Sequence, residues 1–73
     1  MLTNEVIMAA WTHYFTFKDT DEFSGYWVEI IASSNKKAEL KMEEIYGTWD
    51  KHYSEYTRHK IRGYGCLARY EVD

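Results

Sequence analysis

The chain has 73 residues, with nine Lys and Arg against twelve Asp and Glu, giving a formal charge of −3 with histidines neutral. That length holds one domain, able to bury only about 60% of the surface its unfolded chain exposes. It excludes a two-domain enzyme, a full dinucleotide-binding fold and an eight-stranded α/β barrel. The aromatic share is 18%, from three Trp, seven Tyr and three Phe, and disordered chains are poor in such residues, so this one folds.

Residues 1–10 carry no basic start and no apolar core long enough for a signal peptide; they read as an optional N-terminal segment, a short helix, with Met8 an alternative start. Residues 11–18 alternate: Trp11, His13, Phe15 and Phe17 share one face, and Thr12, Tyr14, Thr16 and Lys18 the other, which predicts a strand. A turn-rich acidic loop follows with Asp19, Asp21, Glu22 and Gly25. Residues 26–32 alternate again and hold a single charge, Glu29, which predicts a central strand. Its two faces, Tyr26, Val28, Ile30 and Ala32 against Trp27, Glu29 and Ile31, are both largely apolar, so Trp27 and Ile31 need a cover.

Ser33 and Ser34 stand where a helix cap belongs, and the period then changes. Ala38, Met42 and Ile45, with Tyr46 beside them, recur at helical spacing, Leu40 faces outward, and Gly47 ends the helix. Residues 49–56 alternate as an edge strand, 57–63 form a basic loop, and Cys66, Ala68, Tyr70 and Val72 alternate with Leu67, Arg69 and Glu71 as a last strand, with a short helix the alternative. The expected fold is α+β: a small antiparallel sheet of three to four strands with one packed helix, in the order β-β-α-β-β. Residues 1–73 form one domain, with 11–56 as a β-β-α-β core and 57–73 as basic loop and last strand.

Few residues carry recognisable chemistry. With one cysteine, Cys66, no intramolecular disulfide is possible, which fits a reducing cytoplasm. No apolar run approaches the roughly 20 residues a membrane-spanning helix needs. His13, His52, His59 and Cys66 lack the paired short spacing of a structural zinc site, and Cys66 reads as a small core residue rather than a nucleophile. No Gly-rich phosphate loop or serine elbow is present. The expectation is a protein that is not an enzyme, with no cofactor and no metal.

Two binding readings remain. In the first, aromatics in excess of what a one-helix core needs meet a partner: Tyr14, Trp27 and Ile31 provide apolar contact, and Asp19, Asp21 and Glu22 a charged rim. A second copy, as a homodimer, or the terminal segments could cover the same face. In the second, nucleic acid binds the last third. Residues 1–50 carry four lysines against nine acids, whereas residues 51–73 carry five basic residues against three acids. Arg58, Lys60 and Arg62 could contact phosphates while Tyr56 and Tyr64 stack on bases. Arg62-Gly63-Tyr64-Gly65 also opens like the aromatic motif of RNA-recognition domains, but Cys66 and Arg69 stand where its next aromatics belong. A small signalling nucleotide held between subunits is a third possibility.

Tyr14-Phe15-Thr16-Phe17, then Gly25-Tyr26-Trp27-Val28-Glu29-Ile30 and Ala32, the helix through Ala38, Met42 and Tyr46-Gly47, and then Trp49 and Tyr53 resemble a group of small phage- and prophage-encoded proteins. These read Tyr-Phe-Thr-Phe, Tyr-Val-x-Ile-x-Ala, an Ala- and Met-containing helix, then Gly, Trp and a closing Tyr. The similarity covers residues 13–56 and departs at Lys18-Asp19, where the group has Gly. It implies a mobile element acting in a bacterial cytoplasm, where proteins of this size inhibit host machinery. The resulting expectation is an anti-CRISPR-like, counter-defence binding protein whose partner is a host protein or ribonucleoprotein complex.

Overall fold

The computed structural model describes residues 9–54 and 63–72. Its elements are β1 (Trp11–Thr16), β2 (Tyr26–Ala32), α1 (Asn35–Ile45), β3 (His52–Ser54) and β4 (Gly65–Glu71). Among the described residues one helix lies on a four-stranded sheet of order β3-β1-β2-β4, a small α+β fold that follows from the alternation and the helical stretch. β1 pairs antiparallel with β2, Phe15 opposite Val28, and antiparallel with β3, Tyr14 opposite Tyr53. β4 instead runs parallel to β2, so the sheet is mixed rather than wholly antiparallel. β3 and β4 lie on opposite edges, so no tight hairpin joins them, and the chain re-enters the sheet in the same direction.

The core is the odd face of β1 and the even face of β2, as strand periodicity requires. Phe15, Phe17, Val28, Ile30 and Ala32 are buried there under Ala38 and Met42 of α1. The helix starts where Ser34 Oγ accepts from Lys37 N at 3.1 Å, a side-chain cap. It ends where Gly47, at φ 81°, donates to the Met42 carbonyl at 3.2 Å. Its buried stripe is Ala38–Met42–Tyr46, spaced by four, which leaves Ile45 at the rim, 36% exposed.

Most of the aromatic surplus is absorbed. Phe17, Phe23 and Tyr46 meet mutually at 5.4–5.6 Å, and Tyr46 reaches Tyr70. On the β3 side Trp49 meets Phe15 edge-on and His52 stacks on Phe15 at 4.3 Å. Such pairs add about 0.5–1.5 kcal/mol each beyond their buried area, which makes ring-on-ring packing the structural resource of a short chain without a disulfide.

One irregularity redirects the last strand. Trp27 pairs with Cys66 but Val28 with Ala68, so Leu67 is an extra residue in β4. Leu67 turns onto the core, and Cys66, expected inside, is exposed. A bulge shifts the inward set by one position, which simple alternation cannot anticipate.

Candidate functional site

The face of the sheet opposite α1 is organised by a carboxylate. Glu29, 7% exposed, sits in the central strand with Tyr14 on one side and Arg69 on the other. Trp27 Nε1 donates to its Oε2 at 3.0 Å, and Arg69 Nη1 lies 3.5 Å from its Oε1. A buried carboxylate with an N–H donor and a cation is compensated, so this cluster ties β2 to β4. It also touches Cys66: although the residue is exposed, partial desolvation where it lies against the sheet, and then the negative charge of Glu29, push its thiol pKa above the ordinary value, the opposite of what a nucleophilic cysteine needs.

The residues expected to form an apolar contact are therefore mostly committed within the protomer. Tyr14 is buried, and Trp27 and Ile31 are half-buried, with the indole N–H of Trp27 spent on Glu29. Of the acidic rim, Asp21 caps its own turn, its Oδ1 accepting from Phe23 N at 2.9 Å, while Asp19 and Glu22 are exposed. Tyr56, Arg58, Lys60 and Arg62 lie outside the described residues.

Tyr64 is where the described surface departs from an ordinary one. It is 81% exposed, and Tyr26, at 40%, packs its ring against it edge-on at 5.4 Å. These are the two exposed rings among the described residues. Glycines shape the corner: the Tyr64 amide donates to the Gly25 carbonyl at 2.6 Å, and Gly25 has φ 92°. A Cβ on Gly25 would meet the Tyr64 ring, and one on Gly63 would fall on the Gly25 carbonyl. The two strand starts thus meet backbone to backbone and present two rings outward. An aromatic corner stands at the Gly65 end of β4, and Tyr26 follows the 19–22 turn with its exposed Asp19 and Glu22 within a few residues in the chain.

A second polar cluster lies on the helix side. His13, with no exposure, places Nε2 3.2 Å from the Ala32 carbonyl and Nδ1 2.9 Å from His52 Nε2, and His52 Nδ1 lies 3.0 Å from Glu39 Oε2. Two bonds end on oxygens that only accept, and the third needs one hydrogen between two nitrogens. All three form together only when the two rings share three N–H protons, one beyond their neutral forms. Trp11 and Phe15 flank the pair. The direct nitrogen-to-nitrogen bond uses the lone pairs a metal would need, and no group of three or more metal-ligating side chains exists among the described residues. This relay couples α1, β1, β2 and β3. Strand period puts His13 on the core face, but its partners lie 19 and 39 residues away, beyond any local signal.

No helix among the described residues is long and apolar enough to cross a membrane. Comparison with protein-family models, with curated proteins and with solved structures finds no match to this chain.

Proposed function

We propose that the protein is a non-enzymatic binding protein of phage type, which inhibits a host defence or nucleic-acid-handling complex by occupying its surface, as an anti-CRISPR protein does. The observation that supports this reading is the Tyr26–Tyr64 corner. Tyrosine gives large contact area at low entropy cost, and here the exposed ring packs edge-on against a second tyrosine beside a positive-φ glycine. Asp19 and Glu22 supply negative charge on a chain of net −3, the sign that complements a groove built for nucleic acid and speeds encounter with it. Trp27, whose indole N–H is held by Glu29, is half-buried, as is Ile31, and Tyr14 is buried, so these three offer less free surface than the corner.

The test is an interference assay in bacteria carrying an active CRISPR effector, with the protein co-expressed. Relief of interference by the wild type, lost in a folded Tyr26→Ser/Tyr64→Ser double variant, supports the proposal. Undiminished interference across a panel of effector types, together with no host protein recovered from nuclease-treated lysate, overturns it.

The exposed Tyr64 also favours a second reading, a small nucleic-acid-binding accessory domain in which that ring stacks on a base. It predicts retention of single-stranded oligonucleotide that falls steeply with salt and is lost in Tyr64→Ser.

A further inference from the structure

β4 is a seven-residue edge strand, and among the described residues no strand pairs with its outer side. An unpaired edge of that length is a template for another strand. The bulge at Leu67 confines its regular part to residues 68–72.

Backbone direction settles which groups are on offer. Val72 N donates to the Ile31 carbonyl at 2.8 Å, so Ala68, Tyr70 and Val72 turn their backbone groups toward β2. Arg69 and Glu71, between them, turn theirs outward. In an antiparallel pair only outward-turned residues can exchange both N–H···O bonds, so a second β4 must oppose Arg69 or Glu71 with Arg69 or Glu71. Three registers satisfy this. Arg69 against Arg69 and Glu71 against Glu71 put like charges face to face, which destabilises a strand pair. The remaining register, centred on Tyr70, sets each Arg69 opposite Glu71 of the second copy, twice by symmetry, and its span is the regular segment 68–72.

We infer that the outer edge of β4 is a self-recognition surface, pairing antiparallel about Tyr70 with a second copy of this chain so that two four-stranded sheets join into one of eight. Arg69 then stands between Glu29 of its own chain, already 3.5 Å away, and Glu71 of the second copy. Glu71 is exposed and forms no ion pair among the described residues, and its neighbour on β2 is the uncharged Ile31. The two hydrogen-bonded pairs supply about four backbone bonds. On the helix side, a cleft of about 220 Å³ lined by Leu40, Lys37, Lys41, Glu44 and Val72 borders the same end of the strand, so the 52%-exposed Leu40 has apolar surface beside the joined edge. The Tyr26–Tyr64 corner lies beyond the paired segment, leaving one free corner at each end of the dimer.

Sedimentation equilibrium on the full chain, with concentration raised into the millimolar range, tests it. The wild type is expected to approach twice its 8.8 kDa mass. Glu71→Arg sets Arg against Arg69 at both ends and should hold the protein at monomer mass. Glu71→Pro removes an outward N–H that no described residue accepts, a substitution an edge strand tolerates, and should do the same with an unchanged circular dichroism spectrum. Arg69 is left intact because it also serves Glu29. A wild type that stays monomeric throughout, assembly beyond a dimer, or a dimer that survives either variant overturns the proposal.

Discussion

Replacing Gly25 by alanine separates the aromatic corner from the stability of the fold. Gly25 has φ 92°, and a Cβ there would lie 2.5 Å and 2.7 Å from Tyr64 Cε2 and Cδ2. A non-glycine residue in the left-handed region costs roughly 1–2 kcal/mol. The clash adds little further cost, because Tyr64 is mostly exposed and its ring can swing away, but swinging breaks the contact with Tyr26. Gly47→Ala is the matched control, with φ 81° and nothing within 4 Å of the added carbon. Both variants should lose about 1–2 kcal/mol in urea unfolding followed by circular dichroism. Only Gly25→Ala should lose the Tyr26–Tyr64 ring cross-peaks in a nuclear Overhauser spectrum. Equal stability of Gly25→Ala and wild type, or intact ring cross-peaks in that variant, would refute the reasoning.

His52→Ala strands the buried Nδ1 of His13 and removes the ring stacked on Phe15, so unfolding free energy should fall by about 1–3 kcal/mol from the unsatisfied group alone; Glu39→Gln, which still accepts, should cost less in the same titration. Phe15→Ala empties the centre of the core and should cost about 3–5 kcal/mol, while Leu40→Ala on the exposed helix face should change the protomer little. Burial, and then the 3.1 Å hydroxyl contact with Tyr70, raise the Tyr46 hydroxyl pKa above its ordinary 10.0. The fold therefore favours the neutral phenol: that stabilisation is complete below pH 10.0 and is lost as pH rises beyond it. Tyr46→Phe should flatten the alkaline decline in thermal midpoint, and an unchanged slope would contradict the assignment. Cys66 should react with iodoacetamide at mildly alkaline pH more slowly than a free thiol, and Glu29→Gln should speed it only in part, because burial is the larger cause.

The parts of the fold legible in the sequence were those governed by local period. The alternation from Trp11 and from Tyr26, the switch to helical spacing after Ser34 and the stop at Gly47 all have their reasons within a few residues. Elements governed by distant partners were not legible. β3 begins at His52, three residues later than the alternation from Trp49 suggests, and Trp49 packs its ring edge-on against Phe15 instead. Leu67 and Cys66 exchange sides at a bulge, which no propensity marks. At the candidate site, Trp27 was expected to seek a partner, but the indole N–H meets Glu29 two residues on, an i to i+2 pairing that a strand places on one face. The corner itself was half visible: Tyr64 stood out in the Arg62-Gly63-Tyr64-Gly65 stretch, but its contact with Tyr26, 38 positions earlier in the chain, depends on the parallel pairing of β4 with β2.

In the proposed function Tyr26 and Tyr64 serve another molecule. The most direct measurement compares what immobilised wild type and Tyr26→Ser/Tyr64→Ser protein retain from nuclease-treated bacterial lysate, once both variants show the same urea midpoint. Retention of a discrete host protein or complex by the wild type, lost in the double variant, is the predicted result. An identical set of retained species on both, or no host protein retained by the wild type, would contradict it.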